Sequence, residues 1–201
     1  MHTFTRQGEP GPARSHRESG VTPHGRRREE YYATPFGVGR LTLRGDLPLE
    51  LDLPDADRVV PDAARRRPRG VWVEKLEAYF AGRPVGFGLD VAAHCRARGL
   101  TAFETAVYGA LAAVPYGHAV SYRDLAHAAG RPNAYRAVGT AMSRNALPVI
   151  LPCHRVIKND GTPGRYGDDP AWKIRLLQLE GALQPGATKV ARAGCALGGP
   201  R

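Results

Sequence analysis

The chain has 201 residues, 42% of them hydrophobic, which is enough for one large or two small domains with a real core. Its net charge of +10, carried mainly by arginine (25 of 29 basic side chains), favours a polyanionic partner such as nucleic acid, although an arginine-rich solvated surface would give the same sum. Three scattered cysteines without a C-x-x-C pair argue against a disulfide framework or a zinc ribbon, and no stretch approaches the ~18 apolar residues of a membrane span.

Residues 1–29 are rich in Arg, Gly, Pro, Ser and Glu with almost no large apolar side chains, and read as a disordered basic tail that includes Arg26-Arg27-Arg28. An N-terminal α/β domain is expected over 30–89. Tyr31–Gly39 reads as a strand and turn, and Leu41–Gly45 and Leu47–Leu53 as two further strands. Val71–Ala81 has helical spacing with Gly82 at its end, and Val85–Leu89 could add a short strand. Residues 90–100 read as a linker. Within it His94-Cys95 lacks a partner cluster, so no metal site is expected.

A C-terminal domain is expected over 101–183, followed by a flexible tail over 184–201 that holds Cys195. Thr101 caps a helix whose apolar face is Phe103, Val107, Leu111 and Val114, and Pro115-Tyr116-Gly117 stops it. Ser121-Tyr122-Arg123-Asp124 has the form of a capping box with Asp in the acidic place. The short helix behind it ends at Gly130, and Asn133 can cap a second helix, Ala134–Arg144. Helix, tight turn and helix is the helix-turn-helix arrangement, though many such pairs are purely structural. The second helix carries small residues, Ala134, Ala137, Gly139, Thr140 and Ala141, around Arg136. Such a face lets a backbone approach a groove closely, and its arginine can enter where a base has left the stack; close helix packing with Arg136 in solvent is the alternative.

The apolar run Leu147–Leu151 reads as a buried strand leading into Pro152-Cys153-His154-Arg155-Val156. A thiol next to an imidazole is the start of an activated nucleophile. Taken alone, the pair is more readily a buried structural cysteine, since free Cys is among the most buried residue types. A glycine-punctuated loop, Thr162–Pro170, and a final helix, Trp172–Leu183, complete the domain.

Together Ser121-Tyr122, Arg136-Ala137-Val138-Gly139, Asn145, Pro152-Cys153-His154-Arg155-Val156, Gly164-Arg165-Tyr166-Gly167 and Leu179-Glu180-Gly181 resemble the O6-alkylguanine-DNA alkyltransferases (methylated-DNA–protein-cysteine S-methyltransferases) in order and spacing. The resemblance is strong from Thr101 to Ala182 and weaker from Tyr31 to Leu89. It implies a two-domain α/β (α+β) protein, with a ribonuclease-H-like N-terminal domain and a winged-helix-like helix-turn-helix C-terminal domain that enters the minor groove of double-stranded DNA. It further implies a flipped O6-alkylguanine (O4-alkylthymine being a second candidate), irreversible single-turnover transfer of the alkyl group to Cys153, no cofactor, and a monomer; the cytoplasmic setting is expected from the unpaired cysteines and the lack of an apolar run of signal-peptide or membrane-span length.

By the same resemblance His154 takes the thiol proton through a water, Glu180 orients the imidazole, and Tyr122 helps rotate the nucleotide and donates to the base. Arg136 fills the gap in the stack, with Ala137 and Thr140 on the same DNA-facing helix. Asn145 is the hinge before the acceptor, and the carbonyls of Cys153 and Val156 accept from the exocyclic amine. Tyr166 and the Gly167 amide face the base, and Lys173 matches a lysine of the family. Ala146, where a proline is common, and Asp168-Asp169-Pro170, where an uncharged glycine-rich stretch is usual, bear on rate and alkyl range. Three other readings are weighed. A non-catalytic relative would lack Cys153. A helix-turn-helix transcription regulator would want larger polar side chains on its recognition helix. A Cys-His hydrolase would need an oxyanion hole and would leave the basic DNA-binding element unexplained.

Overall fold

The structure, a computed structural model, describes residues 25–66, 68–167 and 169–190. An antiparallel three-stranded sheet opens the fold: β1 (Arg27–Thr34), β2 (Gly37–Arg44) and β3 (Leu47–Asp55). The β1–β2 hairpin closes at Thr34 opposite Gly37, whose φ of +112° suits glycine. In β2 the missing Cβ of Gly39 lets the Tyr32 ring lie flat against the strand; an added Cβ would sit 1.9 Å from that ring.

Four helices follow: α1 (Asp62–Arg65), α2 (Val71–Phe80), α3 (Val91–Ala97) and α4 (Ala102–Ala112). Thr101 caps α4 in a full capping box with Glu104. The strand β4 (Val120–Ser121) leads into α5 (Tyr122–Ala128), where Ser121 and Asp124 form the expected box, and α6 (Tyr135–Ser143) packs beside it. A 3-10 turn at Cys153–Arg155 runs into β5 (Val156–Ile157), which pairs in parallel with β4. The last helix, α7 (Pro170–Leu179), is capped by the Asp169 side chain.

One apolar core runs through both segments. Tyr32, Leu41, Leu51, Leu76 and Phe80 belong to the same buried cluster as Val107, Leu111, Leu125, Leu147, Leu151 and Leu176. The Leu51 amide also donates to the Ala146 carbonyl at 2.8 Å, tying β3 to the loop before Cys153.

Five expectations are corrected. Strand β1 begins at Arg27, inside the stretch expected as tail; residues 1–24 lie outside the described part. Residues 90–100 hold α3, capped by Asp90, whose seven residues are too few to display an apolar stripe. Val85–Leu89 is irregular rather than a strand. Asn133 makes no side-chain cap; Ala134 occupies the cap position of α6. Leu147–Leu151 is a buried turn closed by Leu151 N–H to the Leu147 carbonyl at 2.8 Å, with Val149 at a φ of +74°. That run is apolar because it is buried, not because it is extended, and periodicity cannot separate the two in five residues. At the other end residues 184–189 are exposed, but Val190 is buried and its amide donates to Gly161 O, so the chain returns to the body of the protein at that point; Cys195 lies outside the described residues. Among the described residues no helix is long and apolar enough to cross a membrane.

Candidate active site

The 3-10 turn is what separates the jobs of its three residues. At three residues per turn, consecutive side chains leave the axis about 120° apart. Cys153 therefore faces a cavity while His154 and Arg155 turn into the protein toward Glu180.

Cys153 is 7% exposed. Asn145 Nδ2 donates to its sulfur at 3.0 Å and to the Leu151 carbonyl at 2.8 Å, while Asn145 Oδ1 accepts from Leu147 N–H at 3.0 Å. One amide side chain thus closes the strained turn and contacts the Cys153 sulfur. Burial pushes the Cys153 thiol up, opposed by Asn145, by the nearby Tyr166 hydroxyl and by the charge of Lys173. The resting sulfur is accordingly a thiol.

His154 is fully buried, and its Nε2 lies 2.7 Å from Glu180 Oε1. Burial opposes the Glu180 charge, but the His154 bond and the Arg155 guanidinium outweigh it and hold the carboxyl down at about 2. An ionised carboxylate only accepts, so the hydrogen-bond network assigns the proton to Nε2. The Nδ1 nitrogen, which has no partner among the described residues, is left as the free base. Burial lowers the basicity of His154 despite Glu180, so the imidazole rests neutral near pH 7.

Glu180 is the hub of this network. Its oxygens also accept from Arg155 Nε at 2.9 Å and Nη2 at 2.9 Å, from Gly117 N–H at 3.1 Å, and from the Tyr79 hydroxyl at 2.7 Å. Arg155 in turn donates to the Val114 carbonyl and stacks on Tyr116. The buried charges are thus paired and hydrogen-bonded on every side, as their desolvation requires.

A cavity of about 630 Å³ opens at the sulfur, within the usual range for small-molecule sites. It brings together Tyr122, Asn145, Cys153, Tyr166, Gly167 and Lys173 of the expected set. Leu53, Gly139, Met142, Pro148, Arg165, Asp169 and Trp172 line it too. A larger hollow of about 760 Å³ on the N-terminal sheet, between Glu29 and Glu77, contains no nucleophile.

Lys173 is 1% exposed; its ammonium donates to the Val156 carbonyl at 2.6 Å and lies 5.8 Å from the centre of the Tyr122 ring. Burial brings it down to about 8, and a thiolate at Cys153 would pull it back up. Burial and Cys153 raise Tyr122, and more strongly Tyr166, so both keep their protons as donors. Among the described residues the Tyr166 hydroxyl has no partner that meets ordinary hydrogen-bond geometry.

Arg136, Ala137 and Thr140 are not in the cavity. They lie on the exposed face of α6, opposite buried Val138, Ala141 and Met142, with Arg136 lying 5.9 Å from the Tyr135 ring centre. The Val156 carbonyl, expected to be open to a base, already accepts from Lys173 and has one lone pair to spare. Sequence reasoning missed Tyr79, Arg155 and Gly117 as partners of Glu180. Arg155 could have been found, because an arginine inside a buried apolar run needs an acid. Tyr79 carries no local signal: on its helix it is one more core aromatic.

Residues 102–182 match the family model described as the 6-O-methylguanine DNA methyltransferase DNA-binding domain. A methylated-DNA–protein-cysteine methyltransferase of Mycolicibacterium paratuberculosis is 35% identical over 161 residues, 78% of this chain and 94% of that protein. One of Methanosarcina barkeri is 42% identical over 106 residues, 53% of this chain and 64% of that protein. The constitutive enzyme of Bacillus subtilis is 44% identical over 108 residues, 53% of this chain and 62% of that protein. The match to these last two therefore spans slightly less than two thirds of their length. In structure, Mycobacterium tuberculosis OGT in complex with DNA is similar with a TM-score of 0.59 and 32% identity, over 76% of this chain and 92% of that one.

Proposed function

This chain belongs to the methylated-DNA–protein-cysteine methyltransferase family, and on that premise we propose that it repairs O6-alkylguanine in double-stranded DNA by moving the alkyl group to its own Cys153, once per molecule. The observation that carries the proposal is a buried thiol at the floor of a base-sized cavity, hydrogen-bonded by Asn145 and adjacent to an imidazole whose free nitrogen is set by an ionised carboxylate. In the finer description, the N-terminal segment is ribonuclease-H-like and α5–α6 form a winged-helix-like helix-turn-helix. Helix α6 lies in the minor groove with Arg136 in the place of the flipped nucleotide.

In the transfer, His154 Nδ1 takes the Sγ proton through a water, and the thiolate attacks the alkyl carbon. The C–O6 bond breaks, a thioether forms, and the electron pair goes to the guanine oxygen. Tyr122 and the Gly167 amide offset the developing negative charge, and the proton from the thiol ends on the released guanine. Lys173 favours the thiolate by its charge and fixes the Val156 carbonyl. The alkyl carbon of a neutral thioether is a poor electrophile toward any side chain nearby, with a thiolate as the leaving group, which accounts for the single turnover. O4-alkylthymine is the second candidate substrate, with the same ether electrophile.

Cys153→Ala abolishes transfer and leaves DNA binding within a few-fold. Incubation with a duplex labelled on the O6-methyl group, then peptide mass spectrometry, places the label on Cys153. Label on Cys95 or Cys195, or transfer by the alanine variant, overturns the assignment.

A further inference from the structure

Tyr79 belongs to α2 in the N-terminal segment, yet its hydroxyl reaches the base of the C-terminal one. It is fully buried, donates to Glu180 Oε1 at 2.7 Å and stands 3.3 Å from His154 Nε2. Its ring is held edge-on by Phe80 at 5.3 Å and Tyr116 at 6.0 Å, so the hydroxyl has little freedom to move. Burial and the Glu180 charge raise Tyr79 well above an ordinary phenol, so it is a constant donor.

We propose that Tyr79 is a positioning residue for the acceptor chemistry: its hydroxyl fixes the Glu180 carboxylate against His154, so that a side chain of the N-terminal segment sets the geometry and basicity of the base. The proposal rests on reading Cys153 as the acceptor and His154 as its base. Glu180 Oε1 accepts from Tyr79 and His154 at the same distance, 2.7 Å. A short bond to a charged acceptor is strong and directional. Without it, Oε1 loses one of its donors, and the charge that Tyr79 had offset falls on those that remain there, the imidazole among them.

The sign of the effect follows from the groups facing His154. Glu180 stabilises the imidazolium, while burial, Arg155 and Lys173 oppose it. Removing the Tyr79 hydroxyl strengthens the only favourable partner among these. The imidazole then holds its proton to higher pH, and the acid limb of the rate profile moves to higher pH with it.

Tyr79→Phe in the full chain keeps the ring and removes the bond. Tyr32→Phe is the control, since it loses an equally buried hydroxyl bonded to the Asp52 carbonyl, away from the cysteine. Single-turnover methyl transfer from an O6-methylguanine duplex and iodoacetamide modification of Cys153 are followed against pH, with melting temperature. The expected result is a roughly tenfold slower transfer for Tyr79→Phe, the size of one hydrogen bond to a charged group, with its acid midpoint at higher pH in both reactions. Tyr32→Phe keeps the wild-type rate and midpoint while melting a few degrees lower, like Tyr79→Phe. A fluorinated tyrosine at 79, a stronger donor of the same shape, moves the midpoint to lower pH and stands in should the phenylalanine variant not fold. Rates and midpoints for Tyr79→Phe equal to those of Tyr32→Phe overturn the proposal. A wild type that takes no methyl group sinks the repair reading instead, and the iodoacetamide reaction still decides the role of Tyr79.

Discussion

Glu180 holds four partners at once, and the consequence of cutting it follows from which charge is left behind. Glu180→Gln keeps the shape but strands the Arg155 guanidinium in the interior, where an unpaired charge costs about 3–5 kcal/mol. The variant is therefore expected to melt far below wild type and to lose transfer, checked by thermal melting beside the rate assay. His154 and Glu180 also define the response to acid. Both are held below their ordinary values of 6.5 and 4.5 in the folded protein. The unfolded chain then binds more protons, so stability falls as pH drops below about 6.5 and falls further between 4.5 and about 2. Melting temperature recorded from pH 7 downward tests this, and a flat profile would contradict it. Lys173 acts with the same sign in a higher pH window. Its folded value of about 8 lies below 10.5, so burying the ammonium costs stability at neutral pH, a cost that shrinks as pH rises between those values. Lys173→Met should melt no lower than wild type at pH 7 and transfer at least tenfold more slowly, because the charge that favours the thiolate is gone.

Among the elements, on the proposed function, α6 is the binding element and the turn behind it serves the chemistry. Helix α6 turns Val138, Ala141 and Met142 inward and leaves Arg136, Ala137 and Thr140 outside, while the Tyr108 hydroxyl ties the Ala141 carbonyl to α4 at 2.8 Å. Arg136→Ala should therefore leave folding alone and slow repair of duplex substrate by 10-fold or more relative to single strands, because the gap in the stack goes unfilled. Equal slowing on both substrates would place its role elsewhere. The turn Leu147–Leu151 carries Val149 at positive φ, a costly conformation for a β-branched residue that must be held from outside. Asn145 does much of that holding. Asn145→Ala removes the partners of one buried N–H and one buried C=O, at about 1–3 kcal/mol each, as well as the donor to the sulfur. Loss of stability and of transfer are expected together, measured by denaturant unfolding and the single-turnover assay.

At the scale of the whole molecule, the core does not divide at residue 100. Residues of β1–β3 and α2 share one cluster with those of α4–α7, and Leu53 lines the cavity while Tyr79 reaches Glu180. A fragment restricted to 101–190 would expose that face and lose both contributions, so it should aggregate or react slowly even though it carries Cys153. On the proposed function the net charge of +10 acts differently, as a hold on phosphates that carries no sequence information. Affinity for duplex DNA should fall linearly with the logarithm of salt concentration, while the pH midpoint of the chemical step, set by buried groups, stays nearly fixed.

The sequence by itself determined the three strands of the first sheet and the capped helices α4 and α5, and it singled out Cys153 as the candidate nucleophile. Those features are local: alternation, capping boxes at Thr101 and Ser121, and a motif whose residues lie close along the chain or in a familiar order. Only the tertiary structure decided that Leu147–Leu151 is a turn, that residues 91–97 are a helix, and that Tyr79, Gly117 and Arg155 share one carboxylate. Tyr79 and Glu180 are 101 positions apart, and no period or spacing encodes a contact over that distance. It exists because the interior is close-packed and a buried charge must find donors wherever the fold brings them.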